Sequence, residues 1–292
     1  MNGVLGNFAR LSHFNYDQNG KDWNVNTGRQ QSPVALTTAK AVKSTASELI
    51  FINYNKALSR PLKLTNNGHT LKMSIPCAED CSQPAVCGCK LKSIYKAVQL
   101  HFHWGSPEKK GSEHSINCTR YDAELHIIHQ NIAYALKENA LCSWDGFVVL
   151  AIMVNIVECP TLKPRVLNEV FNKSRFVRNF NKTSTIEGTF SLSDILAGVK
   201  CTEFFTYKGL QVKSSSQMDA VIALYILGSL TAPPCAEVVN WYVFPKPVEV
   251  LKTNLQNLWL LADDRGKPLR NNYRLLQSLN NRTVYYRTEN AT

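Results

Sequence analysis

The strongest constraint on the fold is a rhythm of short apolar runs broken by turn signals. The runs "ELIFINY", "LKLTNNGHTLKMSI", "AVQLHFHWG", "ELHIIHQN", "GFVVLAIMVNIV", "VVNWYVF" and "TVYYR" are separated by clusters of Gly, Pro, Asn, Asp and Ser. Runs this short, most of them alternating apolar with polar, predict a mainly antiparallel β architecture within an α+β chain. Helical spacing is rarer. It occurs in "KPRVLNEVFNKSRFVRNFNK" (163 to 182), "SLSDILAG" and "VEVLKTNLQNLWLL", where apolar residues recur at three and four. Helices are therefore expected at the periphery.

The 292 residues hold no internal repeat and no low-complexity linker, so one domain with one large core is expected. No apolar run reaches the roughly 18 residues that a membrane span needs. The opening "MNGVLGNFARLSHFNYDQNG" lacks the apolar core of a secretory signal. The chain as given reads as cytoplasmic, with secretion the alternative if the N-terminus is truncated. A net charge of +11 bears on solubility and encounter rather than on chemistry, and the basic segment 163 to 182 reads as a solvated helix face. No nucleic-acid partner is inferred. The nine cysteines cannot all pair. Four of them, Cys77, Cys81, Cys87 and Cys89, are spaced C-x3-C-x5-C-x-C, unlike the CxxC knuckle of structural zinc. Their segment is expected to be a loop, disulfide-pinned or reduced. Sequons at Asn117, Asn172, Asn181, Asn281 and Asn290 would suit a secreted chain but decide little in a sequence so rich in Asn.

Six of the seven histidines lie between positions 69 and 129, and two of them are separated only by Phe102. On a strand, Gln99, His101 and His103 share one face, while Leu100, Phe102 and Trp104 share the other. One face can then bury against a core while the other offers two imidazoles to one ion. The run "DAELHIIHQN" repeats the device, with Glu124, His126 and Ile128 opposed to Leu125 and Ile127. If the two strands pair, His126 becomes a third nitrogen ligand, and three histidines with one open position form the catalytic zinc arrangement. Gln99 and Glu124, each two residues before a histidine, are placed to accept the second ring N–H. Three neutral imidazoles leave the charge of Zn2+ uncompensated, so a bound water would ionise at about pH 7. The plainer alternative is a set of hydrogen-bonded core or surface histidines. No HExxH occurs, which disfavours a zincin protease. His101, His103 and Glu108 imitate the HxH-x4-E opening of a cupin metal site, but "KKGSEH" after Glu108 suits a loop better than a ligand strand.

Together the segments resemble the alpha-class carbonic anhydrases from about Tyr16 to about Tyr286. The stretches that carry the likeness are "QSPV", "LTNNGHT", "QLHFHWGS", "GSEH", "YDAELHIIH", "GSLTAPPC", "NWYVF" and "NNYRLLQSLNNR", in order and at fitting spacing. The resemblance implies a large twisted, mostly antiparallel sheet with short peripheral helices, spanning 14–287 between an N-terminal extension (1–13) and a short tail (288–292). It implies a monomeric zinc lyase in which His101, His103 and His126 hold the ion and Gln99 and Glu124 are their outer partners. Thr231 and Glu113 would orient a zinc-bound hydroxide that attacks carbon dioxide to give bicarbonate. Ile128, Val149, Leu230 and Trp241 would form the apolar wall for carbon dioxide. His69 would export the proton through waters held by Tyr16 and Asn67, since an imidazole titrates near about 6.5.

Several positions depart from the family pattern. Lys72 stands where a neutral polar residue is usual, and a cation there would lower the shuttle's proton affinity. Ala232 replaces a frequent second Thr, Phe14 a frequent Trp, and Ile128 a smaller valine; "YRLLQSLNNR" lacks two prolines. Cys235 matches a cysteine that pairs in secreted members with one just before "QSP", yet "NVNTGRQQSPV" contains none. The alternative function is a silent family member that uses the fold as a binding module. Such members typically lack a zinc histidine, and all three are present here.

Overall fold

The structure, a computed structural model, describes residues 14–25, 28–160, 165–208 and 228–289. In chain order the strands are β1 (Ala35–Leu36), β2 (Val42–Lys43), β3 (Leu49–Ile52), β4 (Leu62–Asn66), β5 (Leu71–Ser74), β6 (Ala85–Gly88) and β7 (Tyr95–Trp104). They continue as β8 (Ser115–Ile116), β9 (Ala123–Asn131), β10 (Phe147–Val157), β11 (Thr183–Ile186), β12 (Phe204–Lys208), β13 (Val239–Leu251) and β14 (Thr283–Arg287). Four short helices, α1 (Lys137–Leu141), α2 (Arg165–Ser174), α3 (Leu192–Ile195) and α4 (Lys252–Leu255), lie between them.

Among the described residues twelve strands make one sheet, in the order β11-β4-β5-β7-β9-β10-β13-β12-β14-β2, with β6 joined to β7 and β3 to β6. Strands β1 and β8 form a separate parallel pair. The large sheet is mixed. Its pairings are mostly antiparallel, but the long β10–β13 pair runs parallel. Burial on both faces suits that pairing: "FVVLAIMV" is apolar at every position, as parallel strands tend to be. The chain between 157 and 239 supplies the long crossover that a parallel pair requires.

Strand alternation divides the interior into two layers. Leu100, Phe102, Trp104, Leu125, Ile127, Leu150 and Ile152 fill one side. Phe147, Val149, Ala151, Met153, Tyr207, Trp241 and Val243 fill the other. Helix α2 closes the first layer, where Phe171 meets Phe102 edge-on at 5.2 Å between ring centroids. Both rings are fully buried. Phe171→Ala is expected to lower the free energy of unfolding by about 3–5 kcal/mol, read by urea titration, because the closed layer cannot refill the ring's volume.

Local pattern and structure part at four places. The predicted third helix is a strand at its start: Val248 and Val250 pair with Val154 and Ile156 of β10, so α4 begins only at Lys252. Pairing across the sheet overrides helical spacing there. The cysteine-bearing segment is not all loop, since Cys87 lies in β6 opposite Ile50, with Ala85 and Val86 buried. Helix α2 ends at Ser174, well inside the expected 163 to 182, and Ser174 turns its hydroxyl onto the Phe171 carbonyl at 2.7 Å. Helix α1 was not expected; its single turn is too short to show periodicity. The expected extension (1–13) and all of the expected tail (288–292) but residues 288 and 289 lie outside the described residues. No helix among the described residues is long and apolar enough to cross a membrane.

Candidate metal centre

Strands β7 and β9 pair in register, with His101 opposite His126 and His103 opposite Glu124. The two-residue spacing therefore places all three imidazoles on the second layer's side of the sheet. An irregularity between Ala97 and Gln99 resets the alternation of β7 just before its ligand face. On the next strand the neighbour of His126 is Ala151, whose methyl group leaves the rings room.

Three ring nitrogens converge. His101 Nε2 lies 3.1 Å from His103 Nε2 and 3.3 Å from His126 Nδ1. Their outer nitrogens decide which tautomers are present. His103 Nδ1 donates to the Asn272 carbonyl at 2.7 Å, so in the neutral ring Nε2 carries only a lone pair. His126 Nε2 donates to the Glu124 carboxylate at 2.7 Å, which leaves Nδ1 bare. It is the Gln99 amide nitrogen, and not the acceptor oxygen expected there, that faces His101 Nδ1 at 3.2 Å. The bare nitrogens of His103 and His126, within 4.8 Å of each other, repel unless positive charge lies between them. Tetrahedral zinc with bonds of about 2.0–2.1 Å separates its ligand nitrogens by about 3.3 Å, close to the two separations found.

The surrounding charge fits a dication. Glu113 and Glu124 are both fully buried. Burial raises the pKa of Glu124, but hydrogen bonds and charge from His114 and His126 outweigh it and hold the carboxyl well below its usual range. Glu113 Oε1 accepts the Arg274 backbone N–H at 2.7 Å. Its Oε2 has no hydrogen-bond partner and lies 3.5 Å from His103 Nε2. Burial first, and the rings of His103 and His126 next, push His101 well below its ordinary pKa; burial likewise lowers His103. Buried neutral imidazoles beside buried carboxylates are the donor set a divalent metal takes.

The rings sit at the floor of a cavity of about 650 Å³. The model of the eukaryotic-type carbonic anhydrase family matches residues 16–212 and 224–288. The chain belongs to this family. Carbonic anhydrase 12 of Homo sapiens is 30% identical over 267 residues, covering 88% of this chain and 66% of that protein. Carbonic anhydrase 15 of Mus musculus is 30% identical over 265 residues, with 88% and 75% covered. Carbonic anhydrase 1 of Mus musculus is 28% identical over 278 residues, with 92% and 93% covered.

A carbonic anhydrase is an enzyme that hydrates carbon dioxide, a small-molecule substrate, and the family is one of metalloenzymes. The cavity brings together nearly every residue singled out from the sequence. Tyr16, Asn67, His69, Gln99, Ile128, Val149, Leu230, Thr231 and Trp241 all line it with the three histidines. Glu113 and Glu124 lie beneath the floor, and Glu113 is not hydrogen-bonded to Thr231. His69 stacks on Phe14 at 4.0 Å between centroids and 12° between planes. Asn67 takes the His69 and Thr70 backbone N–H groups on its side-chain oxygen, so its NH2 is the group on offer. Burial, and then the charge of Glu113, raise the Tyr16 pKa well above 10.0. Glu108 caps a surface turn through Ser106 and takes no part in the carbonic anhydrase site. Cys235 is a buried free thiol, its pKa pushed up to about 11 by burial.

Sequence reasoning missed a buried relay behind the site. His114 Nδ1 meets Glu124 at 2.7 Å, its Nε2 meets the Tyr207 hydroxyl at 3.0 Å, and that hydroxyl meets Ser32 Oγ at 2.8 Å. Ser32 and Ser229 then bond each other's backbone N–H, and Trp241 Nε1 donates to the Ser229 carbonyl at 3.1 Å. The position just before Ser229 demands glycine: a Cβ on Gly228 would lie 2.4 Å from the Trp241 ring. The cluster of polar residues in "GSEH" was the available signal for His114. Asn272 left none, because it serves through its carbonyl.

Proposed function

We propose that this carbonic anhydrase carries out zinc-dependent, reversible hydration of carbon dioxide to bicarbonate and a proton. The observation that carries the reading is the convergence of three ring nitrogens, His101 Nε2, His103 Nε2 and His126 Nδ1, at separations a single ion would span. When bound there, zinc supplies a nucleophile from water at about pH 7.

The chain's own residues do the rest. Glu124 and the Asn272 carbonyl hold the rings of His126 and His103 in the tautomers that leave their inward nitrogens bare, and Gln99 meets the outer nitrogen of His101. The Thr231 hydroxyl, at the cavity wall, would accept a hydrogen bond from the attacking oxygen and direct its own hydrogen toward Glu113, whose Oε2 has no other partner, which would fix the direction of attack. Ile128, Val149, Leu230 and Trp241 offer carbon dioxide an apolar seat and exclude water from it. Tyr16 and the Asn67 NH2 hold the waters through which His69 exports the proton. All these groups come from one chain, so a monomer would suffice for the reaction.

Stopped-flow carbon dioxide hydration across pH 6 to 9 tests the reading, with metal content measured on the same sample. The expected result is a fast rate that rises with an apparent pKa of about 7. A background rate at one zinc per chain would instead identify a silent family member. His69→Ala is expected to cut turnover by about 10- to 100-fold in weak buffer, with recovery in concentrated imidazole, because only proton export is lost. A deficit that imidazole leaves untouched would remove His69 from the relay.

A further inference from the structure

An ionic bridge lies beside the cavity without lining it. Residues 14–25 belong to no strand, so this segment is ordered only by what ties it down. Two of its rings, Phe14 and Tyr16, line the cavity, and Trp23 packs edge-on against both. Phe14 is the ring on which His69 lies, 4.0 Å between centroids. Next to Tyr16 is Asp17, and its carboxylate is held by Arg265, 248 residues further on: Nη1 donates to Oδ2 at 2.7 Å and Nη2 to Oδ1 at 2.8 Å.

The other edge of the same guanidinium faces inward. Arg265 Nε donates to Asp263 Oδ2 at 2.8 Å, and Nη2 reaches that oxygen as well. Asp263 is buried, and its Oδ1 accepts the backbone N–H groups of Arg265 and Lys267 at 2.9 and 2.8 Å. The turn made in this way abuts the one that carries Asn67 and His69. Asn66 Nδ2 donates to the Ala262 carbonyl at 2.9 Å, and a Cβ on Gly68 would lie 3.2 Å from the Asp264 backbone nitrogen. Arg265 therefore joins the segment that supplies the Phe14 ring to the turn beside the imidazole stacked on it. Lone exposed ion pairs contribute little, but a bidentate fork within a network of charges is the exception. Here the hydrogen bonds from Arg265 hold the Asp17 carboxyl below its ordinary pKa.

We infer that Arg265 is a positioning residue for proton export: its fork between Asp17 and Asp263 fixes Phe14 against the His69 imidazole and keeps that ring in one place relative to Tyr16 and Asn67. The inference rests on the reading of His69 as the proton relay.

Arg265→Gln tests it, because Asp263 keeps its two backbone N–H partners and the turn its shape. Two readouts are taken on one zinc-loaded sample. In a proton–carbon correlation spectrum of the histidines, the face of Phe14 displaces the His69 Hε1 resonance upfield, and Phe14→Leu marks its position without the ring. Arg265→Gln is expected to move the resonance most of the way to that mark. In stopped-flow hydration, kcat in weak buffer is expected to fall by about three- to ten-fold with kcat/KM unchanged and with recovery in concentrated imidazole, because export alone is impaired. Asp17→Ala is expected to produce the same two changes, and combining it with Arg265→Gln should add nothing further. A resonance that stays at its native position would overturn the inference, and so would an equal fall in kcat and kcat/KM, since the damage would then reach the attack on carbon dioxide. A displaced resonance with parental kcat would overturn it too, provided that His69→Ala is slow. Parental kcat in both variants would instead refute the relay, and the export role with it, while the displaced resonance would still show that Arg265 holds the ring beneath His69.

Discussion

His126→Ala is expected to yield protein that purifies with almost no zinc and hydrates carbon dioxide at least about a thousand-fold more slowly. The rate enhancement of such an enzyme spans many orders of magnitude, and all of it depends on the ion staying in place. Removing His126 takes one of three converging nitrogens and opens the floor to water. It also takes one hydrogen bond from the buried Glu124, but His114 still binds that carboxylate through both its ring and its backbone N–H. The fold should therefore persist, and circular dichroism of the variant should match the parent. Metal analysis and stopped-flow hydration on the same sample decide the matter. Near-parental zinc with lost activity would show that His126 serves chemistry and not metal retention; near-parental activity would remove it from the site altogether.

Glu124→Gln is expected to weaken zinc affinity by about 10- to 100-fold, with a smaller loss of activity once zinc is supplied in excess. The carboxylate accepts from His126 Nε2 and His114 Nδ1 at 2.7 Å each, and from the His114 backbone N–H at 2.8 Å. An amide of the same shape has one oxygen for these three donors, and its NH2 faces an N–H. One donor is left unsatisfied in a fully buried place, or the His126 tautomer reverses and puts a proton on the metal-facing nitrogen. The same change removes the negative charge that the His114, Tyr207 and Ser32 chain is built upon. Chelator competition gives the affinity and thermal melting gives the stability. Unchanged affinity with a lowered melting temperature would assign Glu124 to scaffolding alone.

Much of the site was legible because strand alternation is a strictly local rule. The pattern in "QLHFHW" and "ELHIIH" states which side chains share a face, whatever the rest of the chain does, and the structure keeps both patterns. The apolar runs likewise marked the strands of the sheet's centre, where burial leaves the clearest signature. Legibility failed where tertiary contacts outvoted local spacing. "VEVL" has helical periodicity and became strand because β10 offered it a partner; β6 emerged from a Cys- and Gly-bearing stretch because β3 and β7 flank it. Short elements such as α1 were silent because a single turn spans too few residues to show a period.

The sequence by itself determined the mainly β class and set Gln99, His101 and His103 on one strand face and Glu124 and His126 on another, since face follows from an alternation of two residues along one strand. Only the tertiary structure decided that β7 and β9 are neighbours in a register setting His101 against His126, and that β10 and β13 run parallel. It alone brought Asn272, Arg274, Tyr207 and Ser32 from distant segments to complete the polar floor, and set Lys72 of β5 opposite His101. The physical reason is that face is a property of the backbone's own geometry, whereas register, strand direction and the partner of a buried polar atom are settled by whichever long-range pairing satisfies the most donors and buries the most apolar surface.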